Sequence, residues 1–517
     1  MTGRDRALLF GIGLALAVLA SRWITVPGYM DAEYYFATGQ GLASGHGFRE
    51  PFVWNYLDDP GRLPHASHSY WMPLPSWMVA AGSILFGPSF PAGRSLFLLA
   101  TAALPVITSQ LAYSFTSSRR AAWSSGLLAL APGFYSPYLV TTDSFSPYAF
   151  LGGLTLVGLA STRSGPWRWA GAGALVGLCH LTRADGILLL PLGAVAAWTS
   201  GDRPVKRMLC LAAGYAAVIT PWLLRNLSAF GSMLPPGLSR ALWLTEYNDL
   251  FLYPAAGLTP DRWLAQGWGA ILGARLMALG SNLASLWAVN GLIFLLPLMA
   301  LGAWRFRSHR MVRITLAYLA LVLVLMSFLF PYAGARGGYF HSSVAAMPVL
   351  WALVPSGMAA FLEWGRRRRG WDPVLGARVL GGAALLLAAA FTGYIFWNRA
   401  VGPVPDRPGW SLSDRVYARV TDRLGEYGAY GGTVAVNNPP GFHLASGRSA
   451  VVVPAGGVTA LGGVVPAFDV DWVILDSNRP PGLDEVFEGS AAVPGLVPAF
   501  AWDDPEAGRI VVLRKSP

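Results

Sequence analysis

The sequence predicts a polytopic α-helical membrane protein that ends in a small α/β domain, and three observations carry that prediction. Hydrophobic residues make up 54% of the 517 and charged residues 13%, roughly half the charged share of a soluble protein. Apolar runs long enough to cross a hydrocarbon core of ~30 Å recur along residues 1–398. Beyond them, over 399–517, the apolar runs shorten to strand length and are separated by Gly, Pro and Asn turns. The net charge of +11 does not point to nucleic acid as a partner. Its Lys and Arg residues stand in short clusters between apolar runs, the pattern that orients a chain in a bilayer. Cys179 and Cys210 both lie in apolar runs and imply no disulfide framework.

Taken in order, windows long enough to span lie near 7–25, 90–115, 121–138, 140–162, 206–225, 281–303, 312–331, 342–362 and 376–397. The first follows Arg4 and Arg6 and has no clear small-x-small cleavage site after it, so it is expected to remain as an uncleaved helix. The stretch 167–199 is too long for one span, and Arg183 and Asp185 interrupt it. Two short helices or a re-entrant hairpin both fit. Arg4/Arg6, Arg119/Arg120, Arg163/Arg168, Arg203/Lys206/Arg207, Arg305/Arg307/Arg310/Arg313 and Arg366 to Arg369 with Arg378 fall on alternate connections, which the positive-inside rule makes cytoplasmic. The connections 26–89, 226–280 and 332–341 then face outward. Parity also bears on the apolar run Trp71 to Gly87. A crossing there would put every later basic cluster outside, so it is expected to lie along the outer surface with Pro73 and Pro75 in its first turn. The expectation is about eleven crossings of the cell membrane, with the N-terminus cytoplasmic and the C-terminal domain extracytoplasmic. That domain is expected to hold a helix over Asp414 to Tyr427 and strands at Thr433 to Val436, Ala450 to Val453, Trp472 to Leu475 and Ile510 to Leu513.

Candidate chemistry concentrates in the first outer loop, which runs Gly28-Tyr-Met-Asp31-Ala-Glu33-Tyr34-Tyr35 directly after the first span. Asp58, Asp59, His65, His68 and Tyr70-Trp71-Met-Pro follow in the same loop. Carboxylates at a membrane surface beside aromatic rings suit general-base chemistry on an acceptor hydroxyl or amine, with rings available to stack on a sugar. The bland alternative is that a surface loop needs solvated acidic residues. No His-Glu-x-x-His, Walker or dinucleotide fingerprint competes.

Asp31-Ala-Glu33-Tyr-Tyr, Tyr70-Trp-Met-Pro-Leu-Pro75, Thr141-Thr-Asp143, Leu181-Thr-Arg183-Ala-Asp185-Gly and Pro221-Trp-Leu-Leu-Arg225-Asn226 occur in this order over residues 1–360. In that order the chain resembles the GT-C glycosyltransferases, in the bacterial branch of protein O-mannosyltransferases and aminoarabinose transferases. The resemblance implies a polyprenyl-phosphate-linked sugar donor, a lipid, glycan or protein acceptor, and transfer on the outer face. It implies Asp31 as the catalytic base. The mannosyltransferases have adjacent Asp and Glu at this point, whereas Ala32 separates Asp31 from Glu33 here, which leaves the role of Glu33 open. It also implies that Asp143 helps organise the site, in some members beside a divalent metal; a helix N-cap is the other reading of Asp143.

Arg183 either pairs with Asp185 or holds the donor phosphate, and Arg225 either holds phosphate or anchors its helix at the interface. Arg336-Gly-Gly-Tyr339-Phe-His341 offers a phosphate or sugar contact, or a simple turn. Substrate contacts are therefore expected among Arg183, Arg225, Arg336, Tyr339, Tyr34 and Tyr35. His65, His68 and His341 are the available metal ligands, and no cofactor beyond a divalent ion is implied. The rival function is a transporter or flippase of a lipid-linked or small solute. It predicts inverted repeats, broken helices meeting at the midplane and mostly short outer loops; the sequence has one interrupted hairpin, no evident repeat and a long acidic first outer loop over 26–89.

Overall fold

The computed structural model describes residues 1–161, 165–235, 237–428 and 430–516. Arg163, read above as cytoplasmic, lies outside them. Among the described residues six helices are long and apolar enough to cross a membrane by length and composition: Ser95–Thr116, Pro204–Phe230, Gly267–Asn290, Arg310–Leu329, Pro331–Arg369 and Pro373–Val401. The shorter apolar helices Leu74–Phe86, Phe145–Ala160 and Ala184–Trp198 pack among them. The chain is a multi-pass helical membrane protein.

Its opening helix, Gly3–Ala20, starts on a capping box in which Thr2 and Asp5 satisfy each other's backbone N–H. Asp5 also accepts two hydrogen bonds from the Arg119 guanidinium, at 3.0 and 2.6 Å. This bidentate pair ties the first helix to the helix Arg119–Ala129.

Two expected spans are corrected. Over 121–138 the α-helix stops at Ala129, and the chain passes through two 3₁₀ turns, Gly133–Tyr135 and Tyr138–Val140. Pro132 and Pro137 precede these turns and supply no backbone donor to continue the helix. The window 281–303 straddles a break: one helix ends at Asn290 and the next is Leu296–Arg305, with Leu292 and Ile293 at positive φ between them. Averaged hydropathy does not register a break whose own residues are apolar. Of the two alternatives for 167–199, the structure has the pair of short helices, Pro166–Thr182 and Leu189–Trp198, joined by the 3₁₀ turn Ala184–Leu188. The run Trp71 to Gly87 forms the helix Leu74–Phe86, with prolines in its first turn.

Glycines let the helix backbones approach closely. A Cβ on Gly173 would lie 1.9 Å from the Leu211 carbonyl oxygen, and one on Gly214 would lie 1.9 Å from the Ala170 carbonyl oxygen. The crossing of Pro166–Thr182 with Pro204–Phe230 is thus built reciprocally on two small residues.

At one end of the bundle sits a six-stranded sheet. Ala450–Val452, Thr433–Val436 and Val470–Leu475 run parallel, and Gly508–Lys515 and Leu496–Asp504 add antiparallel strands at one side. The helix Leu412–Glu426 packs on it, with Tyr417, Val420 and Leu424 buried. The edge strand Leu496–Asp504 was not anticipated, because Pro498 and its acidic end argue against a strand; both are tolerated at a sheet edge and at the register shift found there. At the opposite edge Phe52–Val53 pairs parallel with Ala450–Val452. The loop that follows the first helix therefore supplies a strand to the C-terminal sheet, and Tyr34, Tyr35, Phe52 and Trp54 share one core with Val434, Val436 and Phe442.

Gly214→Val must force two backbones apart, and overpacking of that kind costs about 1–3 kcal/mol. A detergent thermal-shift scan is expected to place its melting temperature several degrees below that of the unsubstituted protein, whereas equal melting would show that the crossing yields.

Candidate active site

Three distant stretches of chain deliver the central side chains. After Gly28, whose φ of +93° and contact with the Trp410 ring leave no room for a side chain, the backbone turns into the helix Met30–Ala43. Asp31 and Glu33 stand in its first turn, where the helix dipole favours carboxylates. The second stretch, residues 141–144, is lashed to the first. Thr141 Oγ1 donates to the Pro27 carbonyl at 3.0 Å and Thr142 Oγ1 to the Ala32 carbonyl at 2.9 Å. Ser144, not Asp143, is the residue flanking the helix Phe145–Ala160. The third is a kink in Pro331–Arg369, where Arg336 and Gly337 leave helical geometry and Gly337 takes a φ of +121°.

These stretches bring Asp31, Asp143 and His341 together, with one ligand atom from each lying within 4.8 Å of the others. His341 Nε2 is 3.1 Å from Asp143 Oδ2 and 3.8 Å from Asp31 Oδ2. Asp143 is fully buried and accepts further hydrogen bonds from the Tyr29 hydroxyl and the Ser144 backbone N–H. The Asp31 side chain is 31% exposed. Burial, with the Asp143 carboxylate beside it, pushes Asp31 up to about 6, against the opposing pull of His341 and Arg183. Burial would raise Asp143 too, but His341, Tyr29 and the Ser144 N–H outweigh it and hold Asp143 below its ordinary value. The pair thus divides into an anchored carboxylate and an accessible one with a base-like pKa.

The imidazole has a defined orientation. His341 Nδ1 lies 2.9 Å from the Gly337 carbonyl, which can only accept, so Nδ1 carries hydrogen. Nε2 faces the two carboxylate oxygens, and a cation between them could be shared by all three groups. Two carboxylates and one imidazole, its far nitrogen fixed by a carbonyl, form a donor set that fits a divalent ion.

The other residues singled out from the sequence fall in several places. Arg183 borders the cluster: its Nε donates to Asp185 at 2.9 Å, and its two terminal nitrogens reach Ser144 and Ser342 at 3.5 and 3.4 Å. Arg336 is exposed, stands over the Tyr247 ring with its guanidinium carbon 4.7 Å from the centroid, and has no carboxylate partner among the described residues. Tyr247 lies within electrostatic reach of both Arg336 and Asp31. Arg225 lies elsewhere, caged by Phe48, Trp222 and Phe230 and donating to the Phe48 carbonyl at 3.2 Å. Glu33 is buried, bonded by Asn438 at 2.6 Å and pushed up to about 7 by that burial. Tyr34, Tyr35 and Tyr339 are all buried; Tyr34 packs edge-on against Phe52, His68 and Trp71. His68 is bracketed by Ser67 and Ser76 at 2.8 and 2.9 Å. His65 lies between Asp58 at 3.1 Å and Glu50 at 3.7 Å. Burial works against its protonation, but these two carboxylates raise it to about 9. His341 is the histidine that joins Asp31. The residues not anticipated are Tyr29, Ser144, Tyr247 and Asn438. Tyr29 was within sight, two positions before Asp31, while the others carry no local signal.

Residues 67–224 match the family model described as dolichyl-phosphate-mannose-protein mannosyltransferase. No curated protein sequence matches the chain. Among solved structures, the archaeal oligosaccharyltransferase AglB from Archaeoglobus fulgidus, in complex with an inhibitory peptide and a dolichol-phosphate, is similar with a TM-score of 0.58 at 13% identity. That likeness covers 98% of this chain and 74% of AglB. ArnT from Cupriavidus metallidurans bound to undecaprenyl phosphate also gives a TM-score of 0.58 at 13% identity, covering 99% of this chain and 98% of ArnT. At such identities what is shared is the fold. The family match and the shared fold agree with the GT-C resemblance read from the motifs.

Tyr29→Phe removes a donor that orients Asp143, and loss of such an outer partner typically weakens metal affinity by about 10–100-fold. Titration calorimetry with Mn²⁺ is expected to show that loss against the unsubstituted protein; equal affinity would detach the cluster from cation binding.

Proposed function

We propose that the chain is a membrane glycosyltransferase that moves a sugar from a polyprenyl-phosphate donor to an acceptor on the extracytoplasmic face. The observation that carries this reading is Asp31, a partly exposed carboxylate raised to about 6 beside the His341–Asp143 pair. A base near that pKa is ionised at neutral pH yet still basic enough to take a proton in the transition state.

Asp31 accepts the proton of an acceptor hydroxyl or amine as that atom attacks the anomeric carbon. The bond from that carbon to the phosphate oxygen breaks, and polyprenyl phosphate leaves with both bonding electrons. A single displacement of this kind inverts the anomeric configuration. The leaving phosphate gains charge, and an unpaired guanidinium suits it. Arg336 is assigned that role, with Arg183 contributing a positive field from a fork already engaged by Asp185, Ser144 and Ser342. Asp143 fixes His341 and keeps a second negative charge beside Asp31, which sustains its basicity. A divalent cation held by Asp143, His341 and Asp31 would, when bound, neutralise part of this charge and polarise an oxygen presented to it. Tyr34, Tyr35 and Tyr339 are assigned to packing, Glu33 to holding the helix Met30–Ala43 through Asn438, and Arg225 to anchoring the Phe48 segment. The relatives' lipid phosphates, dolichol-phosphate in AglB and undecaprenyl phosphate in ArnT, support the donor class.

Two outcomes follow. Transfer is expected to fall as pH drops through about 6, because protonated Asp31 cannot accept a proton. A rate flat from pH 5 to 8 would remove Asp31 as the base. Arg336→Ala is expected to weaken retention of undecaprenyl phosphate, read by native mass spectrometry, by about ten- to a hundredfold, the worth of one charge-assisted hydrogen bond. Unchanged retention would move the phosphate to another cation.

A further inference from the structure

We propose that Asn438, in the turn between the strand Thr433–Val436 and the helix Pro439–Ser446, is a positioning residue for the reaction and acts through Glu33 on Asp31. This inference rests on the reading of Asp31 as the base. Positions 31 and 33 lie about 200° apart around a helix axis. Asp31 therefore faces Asp143 and His341, while Glu33 faces the opposite way, into the C-terminal sheet. The helix Met30–Ala43 is held between two bodies, and whatever fixes Glu33 fixes the rotation of Asp31.

The contact at Glu33 is specific. Asn438 Nδ2 donates to Glu33 Oε2 at 2.6 Å, and Asn438 Oδ1 accepts from the Gly441 backbone N–H at 3.2 Å. The second bond opens the helix Pro439–Ser446 and sets the amide the right way round, so its NH₂ end must point at Glu33. Gly441 completes the seat: a Cβ there would lie 2.7 Å from both Asn438 Nδ2 and Glu33 Oε2. A turn of Asn, two prolines and glycine has thus been shaped around one carboxylate. The same part of the chain grips the start of the catalytic helix a second time, where Trp410 Nε1 donates to the carbonyls of Val26 and Pro27 at 3.1 and 3.0 Å. Phe52–Val53 adds the strand that keeps loop and sheet in register.

A donor–acceptor swap tests the link. In Glu33→Gln the new amide oxygen still accepts from Asn438, and kcat is expected to stay near that of the unsubstituted protein. In Asn438→Asp the fixed amide donor is replaced by a second carboxyl, which bonds Glu33 only when the pair holds a proton; assayed at alkaline pH, kcat is expected to fall about ten- to a hundredfold with KM for the donor unchanged, the scale of a small misplacement of a reacting group. The double variant, with Gln at 33 donating to Asp at 438, is expected to recover most of kcat. Hydrogen exchange over residues 30–43 is measured alongside, with faster exchange expected in Asn438→Asp and protection restored in the double variant. Full kcat in Asn438→Asp, or no recovery of either kcat or protection in the double variant, overturns the proposal. Loss and recovery of protection in a protein that transfers no sugar would support the latch while refuting the glycosyltransferase reading, so the two failures are distinguishable.

Discussion

Two carboxylates, Asp31 and Asp143, are held together away from bulk water, and much of the surrounding structure compensates for that placement. Like charges at short range in a poorly solvated site are strongly unfavourable unless neighbours answer them. His341 stands between the two, the Tyr29 hydroxyl and the Ser144 N–H serve Asp143, and Arg183 adds positive charge from the side. These partners are distributed unevenly. Asp143 receives nearly all the hydrogen bonds and is held below its ordinary value, while the partly exposed Asp31 is raised by its own desolvation and by the Asp143 charge beside it. In the proposed reaction that inequality suits Asp31 to the part of the base.

The kink at Gly334–Gly338 serves the same cluster twice. Its glycines permit a non-helical turn whose carbonyl, at Gly337, orients His341, and the same turn throws Arg336 outward over Tyr247. A turn and a ligand contact were the two readings of these glycines, and they describe one piece of geometry. Beyond it, the C-terminal sheet takes a strand from the loop that carries Asp31 and closes a shared aromatic core over it. A chain end that lacks any motif of its own is thereby connected to the chemistry.

What could be read from the sequence follows from how local each signal is. The Arg183–Asp185 pair is two residues apart, and it forms as one of its two readings expected. Strands such as Thr433–Val436 and the helix Leu412–Glu426 follow from their own periodicity and flanking turns. Asp31, Asp143 and His341 were each singled out for a local reason, but their convergence links Asp143 to His341 across 198 residues and Asp31 to His341 across still more, along a path no short pattern records. Glu33 was the hardest, because its partner lies 405 residues away. The misplaced spans at 121–138 and 281–303 failed because Pro132 and the positive-φ pair Leu292 and Ile293 interrupt the helices inside windows that stay apolar on average.

In the proposed reaction Asp31 drives direct transfer of a sugar from a polyprenyl phosphate. The most direct measurement takes purified protein in nanodiscs with polyprenyl-phosphate-linked mannose or aminoarabinose and candidate acceptors, and follows free polyprenyl phosphate and glycosylated acceptor together. Both are expected to appear in equal amounts, and Asp31→Asn, folded and still retaining lipid, is expected to lower the rate by about 10²–10⁴-fold. Full transfer in Asp31→Asn, or movement of the intact lipid-linked sugar across a vesicle without release of lipid phosphate, would contradict it.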